Sequence, residues 1–217
     1  MGQFITFEGV EGCGKTTQIR LLAEALRQKG RSVTLTREPG GCPIADKIRH
    51  ILLDAENSAM TPLAELLLYA AARAQHIAEV IAPALDSGAV VLCDRFTDAT
   101  VAYQGYGRAL DLQQIMQLNS MVASGYRPDL TVLLDCTAET GLKRALDRIE
   151  KNSAEDATAL REERFEKESI EFHKRVREGY LSLAALESDR FVIIDGGGGV
   201  ADTADTILRA VTDRLRI

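Results

Sequence analysis

A glycine-rich run that ends in Gly-Lys-Thr is the clearest chemical pattern in this sequence. Residues 9–16 are Gly-Val-Glu-Gly-Cys-Gly-Lys-Thr, which matches the phosphate-loop pattern GxxxxGK[ST]. The glycines let successive backbone N–H groups turn toward an anion, and a helix N-terminus adds a favourable dipole. We expect Lys15 to reach the β- and γ-phosphates of a nucleoside triphosphate and Thr16 to bind Mg²⁺. The predicted nucleotide-binding residues are Gly9, Val10, Glu11, Gly12, Cys13, Gly14, Lys15, Thr16 and Thr17.

An Asp-Arg pair after a second apolar run is predicted to complete this chemistry. Val-Val-Leu-Cys at 90–93 is followed by Asp94, a candidate metal ligand, and by Arg95, a cation suited to positioning a phosphate. A helix cap or a turn would also explain Asp94 taken alone. The GTPase base motif NKxD is absent from the sequence. The pattern favours a small-molecule kinase over a motor or a switch GTPase.

Alternating strands and helices must position these residues, because apolar runs of strand length alternate with helical patterns along the chain. The predicted strands are 4–7, 33–36, 90–93, 130–134 and 191–194. The predicted helices are 16–29, 44–54, 62–87, 112–124, 138–151 and 161–188. We expect a three-layer α/β fold in which residues 1–217 form one domain around a five-stranded parallel sheet. Ligands of such folds bind at the carboxyl ends of the strands.

Length and composition are typical of a globular domain. The 217 residues are 46% hydrophobic and 27% charged, which excludes collagen-like, low-complexity and disordered chains. The net charge of −6 argues against binding to nucleic acid or to an anionic membrane, although a local basic cluster could hold a small anion. The four cysteines have no metal-ligand spacing, and charged residues interrupt the longest apolar stretch, 63–85. We therefore expect a cytoplasmic protein with reduced thiols.

Four sequence motifs resemble those of bacterial thymidylate kinases, and the resemblance covers essentially the full chain. They are Phe-Ile-Thr-Phe-Glu-Gly at 4–9, Thr-Arg-Glu-Pro-Gly-Gly at 36–41, Asp-Arg-Phe at 94–96 and Ala-Tyr-Gln-Gly at 102–105. The resemblance implies a P-loop NTPase fold with a helical lid, and transfer of the γ-phosphoryl group of ATP to dTMP to give ADP and dTDP. It also implies Mg²⁺ as cofactor and a homodimer.

The resemblance assigns the acceptor phosphate to a group of arginines. Arg95 matches the arginine that the family directs at this phosphate, and a guanidinium suits a phosphate monoester because it donates two parallel hydrogen bonds. Arg37 and Arg49 are further acceptor-side candidates, although a solvated helix face would also explain Arg49. Glu38 matches a family carboxylate near the acceptor and the metal, and Pro39 is expected to follow a cis bond as in relatives.

The same resemblance implies recognition of the base and the sugar. Tyr69 and Arg73 are four residues apart, on one helical face, and match the aromatic ring beneath thymine and the arginine at its O4. Thr100 and Gln104, one helical turn apart, are expected to read the polar edge of the base. The residues that match family positions beside the sugar are Tyr103 and Glu11.

The resemblance also implies a transition-state arginine, which one group of thymidylate kinases carries in the phosphate loop and another in the lid. This phosphate loop contains no arginine, so the chain resembles the lid group, and the arginine is expected in the lid at about residues 144–165. The candidates are Arg144, Arg148, Arg161 and Arg164. Alignment to the family's tail, Phe-Glu…Phe-His…Arg-Glu-Gly-Tyr, favours Arg164, and Arg148 is retained as a nucleotide contact. Four glycines at 196–199 form either a loop beside the adenine or a plain connection. The predicted catalytic residues are Lys15, Glu38, Arg95, Arg148 and Arg164.

Two other functions stay open at the level of sequence. A deoxynucleoside kinase would phosphorylate thymidine itself, but the arginines at 37, 49 and 95 favour an acceptor that already carries a phosphate. A nucleotide-sensing P-loop module would bind ATP and a protein partner, and it would lack a second small-molecule pocket.

Overall fold

The strands of the described chain form one parallel sheet. The computed structural model describes residues 2–155 and 164–216. The strands are β1 (Gln3–Glu8), β2 (Val33–Arg37), β3 (Val90–Asp94), β4 (Leu130–Asp135) and β5 (Phe191–Asp195). Their order across the sheet is β2-β3-β1-β4-β5, so β1 is central. The predicted five-stranded parallel sheet is confirmed, each strand to within one residue at either end.

Helices flank this sheet. They are α1 (Lys15–Gln28), α2 (Pro43–Leu53), α3 (Pro62–His76), α4 (Ala82–Asp86), α5 (Thr97–Thr100), α6 (Leu112–Ala123), α7 (Ala138–Glu155), α8 (Ile170–Leu186) and α9 (Val200–Leu215). A π-helical segment at Ile77–Ile81 joins α3 to α4, and another at Val101–Gly107 continues α5. Both segments continue the helical path, so α3 runs on into α4, and Thr100 and Gln104 lie on one continuous helical stretch.

Helix α1 shows how the sequence pattern produces the core. Its apolar residues recur every three or four positions, and Ile19, Leu22, Ala23 and Leu26 are all buried. They pack into one cluster with the inner residues of the central strands, including Phe7. Burying each of the large side chains stabilises the fold by about 1.5–3 kcal/mol, so this helix is held firmly behind the loop that precedes it.

The strand register brings the candidate site residues to one edge of the sheet. Asp94, the last residue of β3, lies beside Phe7 of β1 and beside Arg37 of β2. The loop after β1, the Glu38 turn after β2 and Arg95 after β3 therefore leave the sheet together. This is the carboxyl edge, where ligands were predicted to bind.

The helix predictions were less accurate than the strand predictions. Helix α8 begins at Ile170 rather than at residue 161, because the Ser169 hydroxyl caps it by accepting from the Phe172 N–H at 3.2 Å. Residues 164–167 form turns before it, and 161–163 lie outside the described residues. At 97–107 only the helical turn from Thr100 to Gln104 was expected, and the helix at 200–215 was not predicted. The first contains two glycines, and the second has a regular pattern of buried residues at 203, 207 and 211.

Two sequence expectations concern the chain as a whole. All four cysteines are buried free thiols, as predicted for Cys93 and Cys136. Within residues 2–155 and 164–216, no helix is both long enough and apolar enough to cross a membrane.

Candidate active site

The phosphate loop joins β1 to α1 through backbone conformations that glycine adopts most easily. Gly9, Gly12 and Gly14 have φ angles of 137°, 68° and 98°. A Cβ on Gly12 would lie 2.1 Å from a backbone oxygen of α7, so this position also needs the absence of a side chain. The Lys15 ammonium folds against the loop and donates to the carbonyl oxygens of Gly9 (3.1 Å) and Val10 (2.9 Å). The predicted phosphate loop therefore has the expected strand–loop–helix context.

Two oxygen ligands suited to a divalent cation meet beside this loop. The Thr16 hydroxyl, in the first turn of α1, donates to Asp94 Oδ2 at 3.2 Å. No group of three or more His, Cys, Asp or Glu side chains that could hold a metal occurs in the described ranges. Mg²⁺ usually takes one or two protein oxygens and completes its shell with water and phosphate oxygens. The hydroxyl and the carboxylate fit Mg²⁺ bound together with a nucleotide.

Arg95 is held in place by several acceptors at once. Its backbone has a φ of 73°, which is uncommon for a residue with a side chain. Its guanidinium donates to the Gly9 carbonyl, to the hydroxyls of Tyr103 and Tyr180, and to the Glu11 carboxylate, all at 2.9–3.0 Å. Burial opposes the charge of Arg95, yet its pKa is raised well above the ordinary value because Tyr103, Tyr180 and Glu11 surround it. The cation is permanent and fixed in direction.

Glu11 is the acidic partner in this cluster. It accepts from the Arg95 guanidinium at 3.0 Å and from the Tyr103 hydroxyl, and His173 Nδ1 lies 3.6 Å from its second oxygen. Burial alone would raise the pKa of Glu11, but Arg95 and His173 lower it well below its usual range. The side chain is an anion over the whole physiological range and fixes the Arg95 fork.

A second acidic residue, Glu8 at the end of β1, supports the cluster. Its two oxygens accept from the Phe96 N–H (2.7 Å) and the Tyr180 hydroxyl (2.8 Å). Complete burial and the nearby Asp98 raise the pKa of Glu8 to about 8. The Tyr180 hydroxyl donates to Glu8 and accepts from Arg95, so Glu8 orients Arg95 through one intermediate residue.

Glu38, after β2, is held by an arginine and a histidine of α3. Arg73 Nε donates to one Glu38 oxygen at 2.7 Å, and His76 Nδ1 lies 3.0 Å from the other. The second His76 nitrogen is 2.6 Å from the Thr36 hydroxyl. The peptide bond between Glu38 and Pro39 is cis, as expected from the resemblance. Glu38 therefore lines the cavity, and Arg73 and His76 fix the orientation of its carboxylate.

The predicted base-reading residues lie along α3, α5 and its π-helical continuation. Arg73 also donates to Asn119 Oδ1 (2.9 Å) and to Thr100 Oγ1 (2.8 Å), so several protein groups fix the orientation of its guanidinium. Thr100, Tyr103 and Gln104 are buried to 5% exposure or less. Burial raises the pKa of Tyr69 far above its ordinary value, so its hydroxyl stays neutral.

One cavity of about 750 Å³ brings most of the predicted residues together. It extends from the phosphate loop to the helices that carry the base-reading residues. The predicted residues among its lining are Glu11, Gly12, Lys15, Thr16, Arg37, Glu38, Arg49, Tyr69, Arg73, Asp94, Arg95, Thr100, Tyr103, Gln104 and Arg148. Arg37 is exposed and pairs with Asp46, and Arg49 Nη1 donates to the Pro39 carbonyl at 2.9 Å. The cavity has room for a nucleotide and a second small molecule.

The structure does not support the preference for Arg164 among the lid arginines. Arg164 is buried, pairs with Glu65, and donates to a backbone oxygen of α2, so its guanidinium is used inside the protein. Arg148, by contrast, lines the cavity and remains half-exposed, 3.9 Å from Glu166. Arg144 donates to the Gly196 carbonyl at 2.9 Å, and Arg161 lies outside the described residues. The geometry therefore favours Arg148 over Arg164 as the lid cation to be tested.

Comparison with known proteins decides the family. The family model described as thymidylate kinase matches residues 7–207. The chain belongs to the thymidylate kinase family. The thymidylate kinase of Geotalea daltonii is 66% identical over 215 residues, and that of Geobacter sulfurreducens is 62% identical over 215 residues. Each alignment covers 99% of both chains.

The solved structures agree with this assignment. The crystal structure of thymidylate kinase from Ehrlichia chaffeensis has a TM-score of 0.77 and 32% identity, and the match covers 97% of this chain and 98% of that one. The recognised family, the P-loop NTPase fold and the function as an ATP-dependent kinase are therefore confirmed. Three of the four thymidylate kinase motifs quoted from the sequence, at 36–41, 94–96 and 102–105, contribute residues to the lining of the cavity, and the fourth, at 4–9, includes most of β1.

Four residues with structural roles at the site were missed from the sequence. Glu8 and Tyr180 lie within quoted motifs, but their roles depend on contacts between distant segments. Glu65 and His76 were noted only as polar interruptions of an apolar helix. A charged or polar residue inside such a stretch indicates a buried polar network, because an isolated buried charge is costly.

Proposed function

We propose that this thymidylate kinase transfers the γ-phosphoryl group of ATP to dTMP, with Mg²⁺ as cofactor, and that residues 1–217 act as one catalytic domain with a lid at about 144–165. The observation that carries this proposal is the single cavity that joins the phosphate loop to a wall of arginines and aromatic side chains. A nucleotide-sensing module would need only the phosphate-loop part of this cavity and no pocket for a second small molecule.

The donor side of the cavity supplies charge and position. Lys15 holds the β- and γ-phosphates, and Thr16 and Asp94 hold Mg²⁺ with them. When bound, the cation neutralises charge on the phosphate oxygens. Arg148 enters from α7 and stabilises the charge of the transferring group. Phosphoryl transfer depends mainly on charge stabilisation and on positioning of the reactants. Glu38 therefore orients the acceptor and need not act as a general base.

The acceptor side selects a phosphate monoester of a pyrimidine deoxynucleoside. Arg95 presents a fork to the acceptor phosphate, and Arg37 and Arg49 add positive charge at the rim. Tyr69 stacks beneath the base, and Arg73, Thr100 and Gln104 read its polar edge. Tyr103 leaves no room for a 2′-hydroxyl, and Glu11 lies beside the sugar. These roles follow from position in the cavity together with the family resemblance.

A coupled ADP-release assay tests the substrate. Wild-type enzyme with ATP and Mg²⁺ is given dTMP, dUMP, dGMP, dAMP or thymidine in parallel. We expect dTMP to be the best acceptor, with dUMP slower by about 10–200-fold because one methyl group is worth only about 1–3 kcal/mol. Turnover of thymidine without turnover of dTMP would identify a deoxynucleoside kinase instead. Loss of activity on removal of Mg²⁺ by a chelator, and its return on addition, tests the cofactor.

We also propose that two copies of this chain associate through α3 and α6. These helices pack side by side and expose large apolar side chains: Leu63, Leu67, Met116 and Met121 are each more than half exposed. The two methionines line a shallow groove with Gln113, Gln117 and Ser120. Large apolar side chains exposed on neighbouring helices are typical of subunit interfaces. The acidic net charge supports an enzyme that binds neither nucleic acid nor membranes, and the four free cysteines support a reducing, cytoplasmic compartment.

A further inference from the structure

Glu65 is a buried carboxylate that no sequence pattern assigned to the site. It lies on α3 with 1% of its surface exposed, outside the lining of the cavity. Burial alone would raise the pKa of Glu65, but hydrogen bonds from Arg108 and Gln104, with the charges of Arg108 and Arg164, hold that pKa below its ordinary value. Glu65 is therefore an anion inside the protein, where it must accept hydrogen bonds from its neighbours.

Its partners come from two parts of the molecule. Gln104 Nε2 donates to Glu65 Oε1 at 2.8 Å. Arg108 donates from Nε to Oε1 and from Nη2 to Oε2, both at 3.2 Å. Arg164 donates to Oε2. Gln104 faces the cavity, whereas Arg164 begins the segment 164–168 that leads from the lid into α8.

The contact with Gln104 has a chemical consequence because a carboxylate can only accept. The carboxamide of Gln104 must turn its NH₂ group toward Glu65, so its carbonyl oxygen points the other way. Among the hydrogen bonds of the described residues, the Gln104 side chain takes part only through Nε2, which donates to Glu65. Gln104 lines the cavity, and it consequently presents an acceptor there.

We propose that Glu65 is the positioning residue for base selection: it holds the Gln104 carboxamide so that an acceptor faces the N3–H of a thymine or uracil ring. This inference rests on the proposed acceptor. A cytosine ring carries an acceptor at the same position and is rejected, because two acceptors would then face each other.

Glu65 also positions a segment of the chain that lines the same cavity. Through Arg164 and Arg108 it holds the segment that contains Phe165 and Glu166, both of which line the cavity. The Arg108 guanidinium lies 5.6 Å from the centre of the Phe165 ring, and that ring packs edge-on against Tyr103 at 5.4 Å. The Glu65 carboxylate thus controls two things: the orientation of Gln104 for base selection, and the position of the segment with Phe165 and Glu166 that lines the cavity.

The substitution Glu65→Gln replaces the acceptor that faces Gln104 with a donor and keeps the size of the side chain. Its single oxygen is expected to stay at the Oε2 position, where two arginine donors meet. Its NH₂ group then faces Gln104, whose carboxamide must turn over and present donors to the cavity. We expect the ratio of kcat/KM for dTMP to that for dCMP to fall at least tenfold, mainly through KM for dTMP, with KM for ATP within twofold of wild type.

Two further variants isolate this effect. Glu168→Gln is the matched control, because Glu168 also pairs with Arg108, at 2.6 Å, but does not contact Gln104. It is expected to keep the wild-type dTMP-to-dCMP ratio. The double variant Glu65→Gln/Gln104→Leu is expected to show the ratio of Gln104→Leu alone, because Glu65 acts through Gln104.

Glu65→Asp keeps the charge and serves if Glu65→Gln does not fold. The shorter side chain withdraws the carboxylate from Gln104, and KM for dTMP should rise at least fivefold with KM for ATP unchanged. The proposal is overturned if a folded Glu65→Gln keeps the wild-type ratio, or if Glu65→Asp leaves KM for dTMP unchanged. Failure of the proposed function is distinct, since wild-type enzyme in the same assay would then not use dTMP.

Discussion

At the scale of single residues, the charged groups of this site are held in place by the protein. Arg95 has four protein acceptors, Glu38 has donors on both oxygens, and Arg73 bonds to both a carboxylate and a hydroxyl. Buried polar groups that are fully hydrogen-bonded lose little conformational freedom when a ligand arrives. The site is therefore prepared for catalysis by positioning rather than by proton transfer.

The first prediction concerns Arg95. Arg95→Ala should lower kcat by roughly 10²–10⁴-fold, because it removes the charged fork assigned to the acceptor phosphate. Steady-state kinetics with dTMP and ATP measure the effect. Arg127→Ala is the control, since that arginine is exposed and pairs only with Glu187 in the described residues. Near-normal turnover of a folded Arg95→Ala protein would remove Arg95 from its assigned role.

Residue roles were predictable where a local motif carries them. The phosphate loop follows β1, Asp94 ends β3 and Arg95 follows it, so their meeting at one sheet edge follows from parallel register. The partners of Arg164 did not follow from sequence, because its pairing with Glu65 joins positions 99 residues apart. Motif alignment locates an arginine in the sequence. It does not tell which of several lid arginines is buried in an ion pair and which one faces the cavity.

At the scale of elements, α7 and the segment after it divide the work of the lid. Arg148 on α7 has a half-exposed guanidinium at the cavity. Arg164, by contrast, is buried and attaches its segment to α3 through the ion pair with Glu65. The sequence pattern shows a run of mixed charges across this region and cannot separate the two roles. The difference lies in burial, which depends on the packing of α2 and α3.

Substituting the two arginines separately provides the second prediction. Arg148→Ala should lower kcat at least tenfold with an unfolding free energy close to that of wild type, because its side chain is half-exposed. Arg164→Ala should lower the unfolding free energy by about 3 kcal/mol, because it breaks a buried ion pair. Urea unfolding and steady-state kinetics on both variants measure the two effects. The opposite pattern would restore Arg164 as the lid cation.

At the scale of the whole molecule, buried carboxylates couple folding to pH. The pKa of Glu8 is about 8 in the folded protein and near 4.5 when the chain unfolds, so the folded state binds the extra proton between these values. Its contribution to stability is complete below about pH 4.5 and is lost as the pH rises toward 8. The lowered pKa of Glu11 has the opposite effect: its contribution to stability is present above about pH 4.5 and is lost as the pH falls below that value.

The third prediction follows from this sign. Glu8→Gln removes the titration, so its unfolding free energy should fall less steeply than that of wild type between pH 5 and pH 8. The difference in slope should be about 1 kcal/mol per pH unit. Urea unfolding at intervals of one pH unit measures it. Parallel curves for the two proteins would show that Glu8 is ionised throughout.

Subunit association is the fourth prediction. Met116→Lys/Met121→Lys places two charges on the groove of α6 and should convert the proposed dimer to a monomer, because buried unpaired charges are costly. Light scattering coupled to size-exclusion chromatography measures the mass. Leu186→Lys is the control, since Leu186 is an exposed apolar residue on α8. A wild-type protein that is already monomeric would contradict the proposed dimer.

The four acceptors around Arg95 have a consequence for affinity. On the proposed assignment, an arriving phosphate competes with Glu11 and the two tyrosine hydroxyls for the same N–H groups, so binding is an exchange of hydrogen bonds. The acceptor affinity is then a small difference between two strong interactions. Weakening the protein's own hold on the guanidinium, as Tyr103→Phe would do, is a way to tighten phosphate binding without adding a single contact to it.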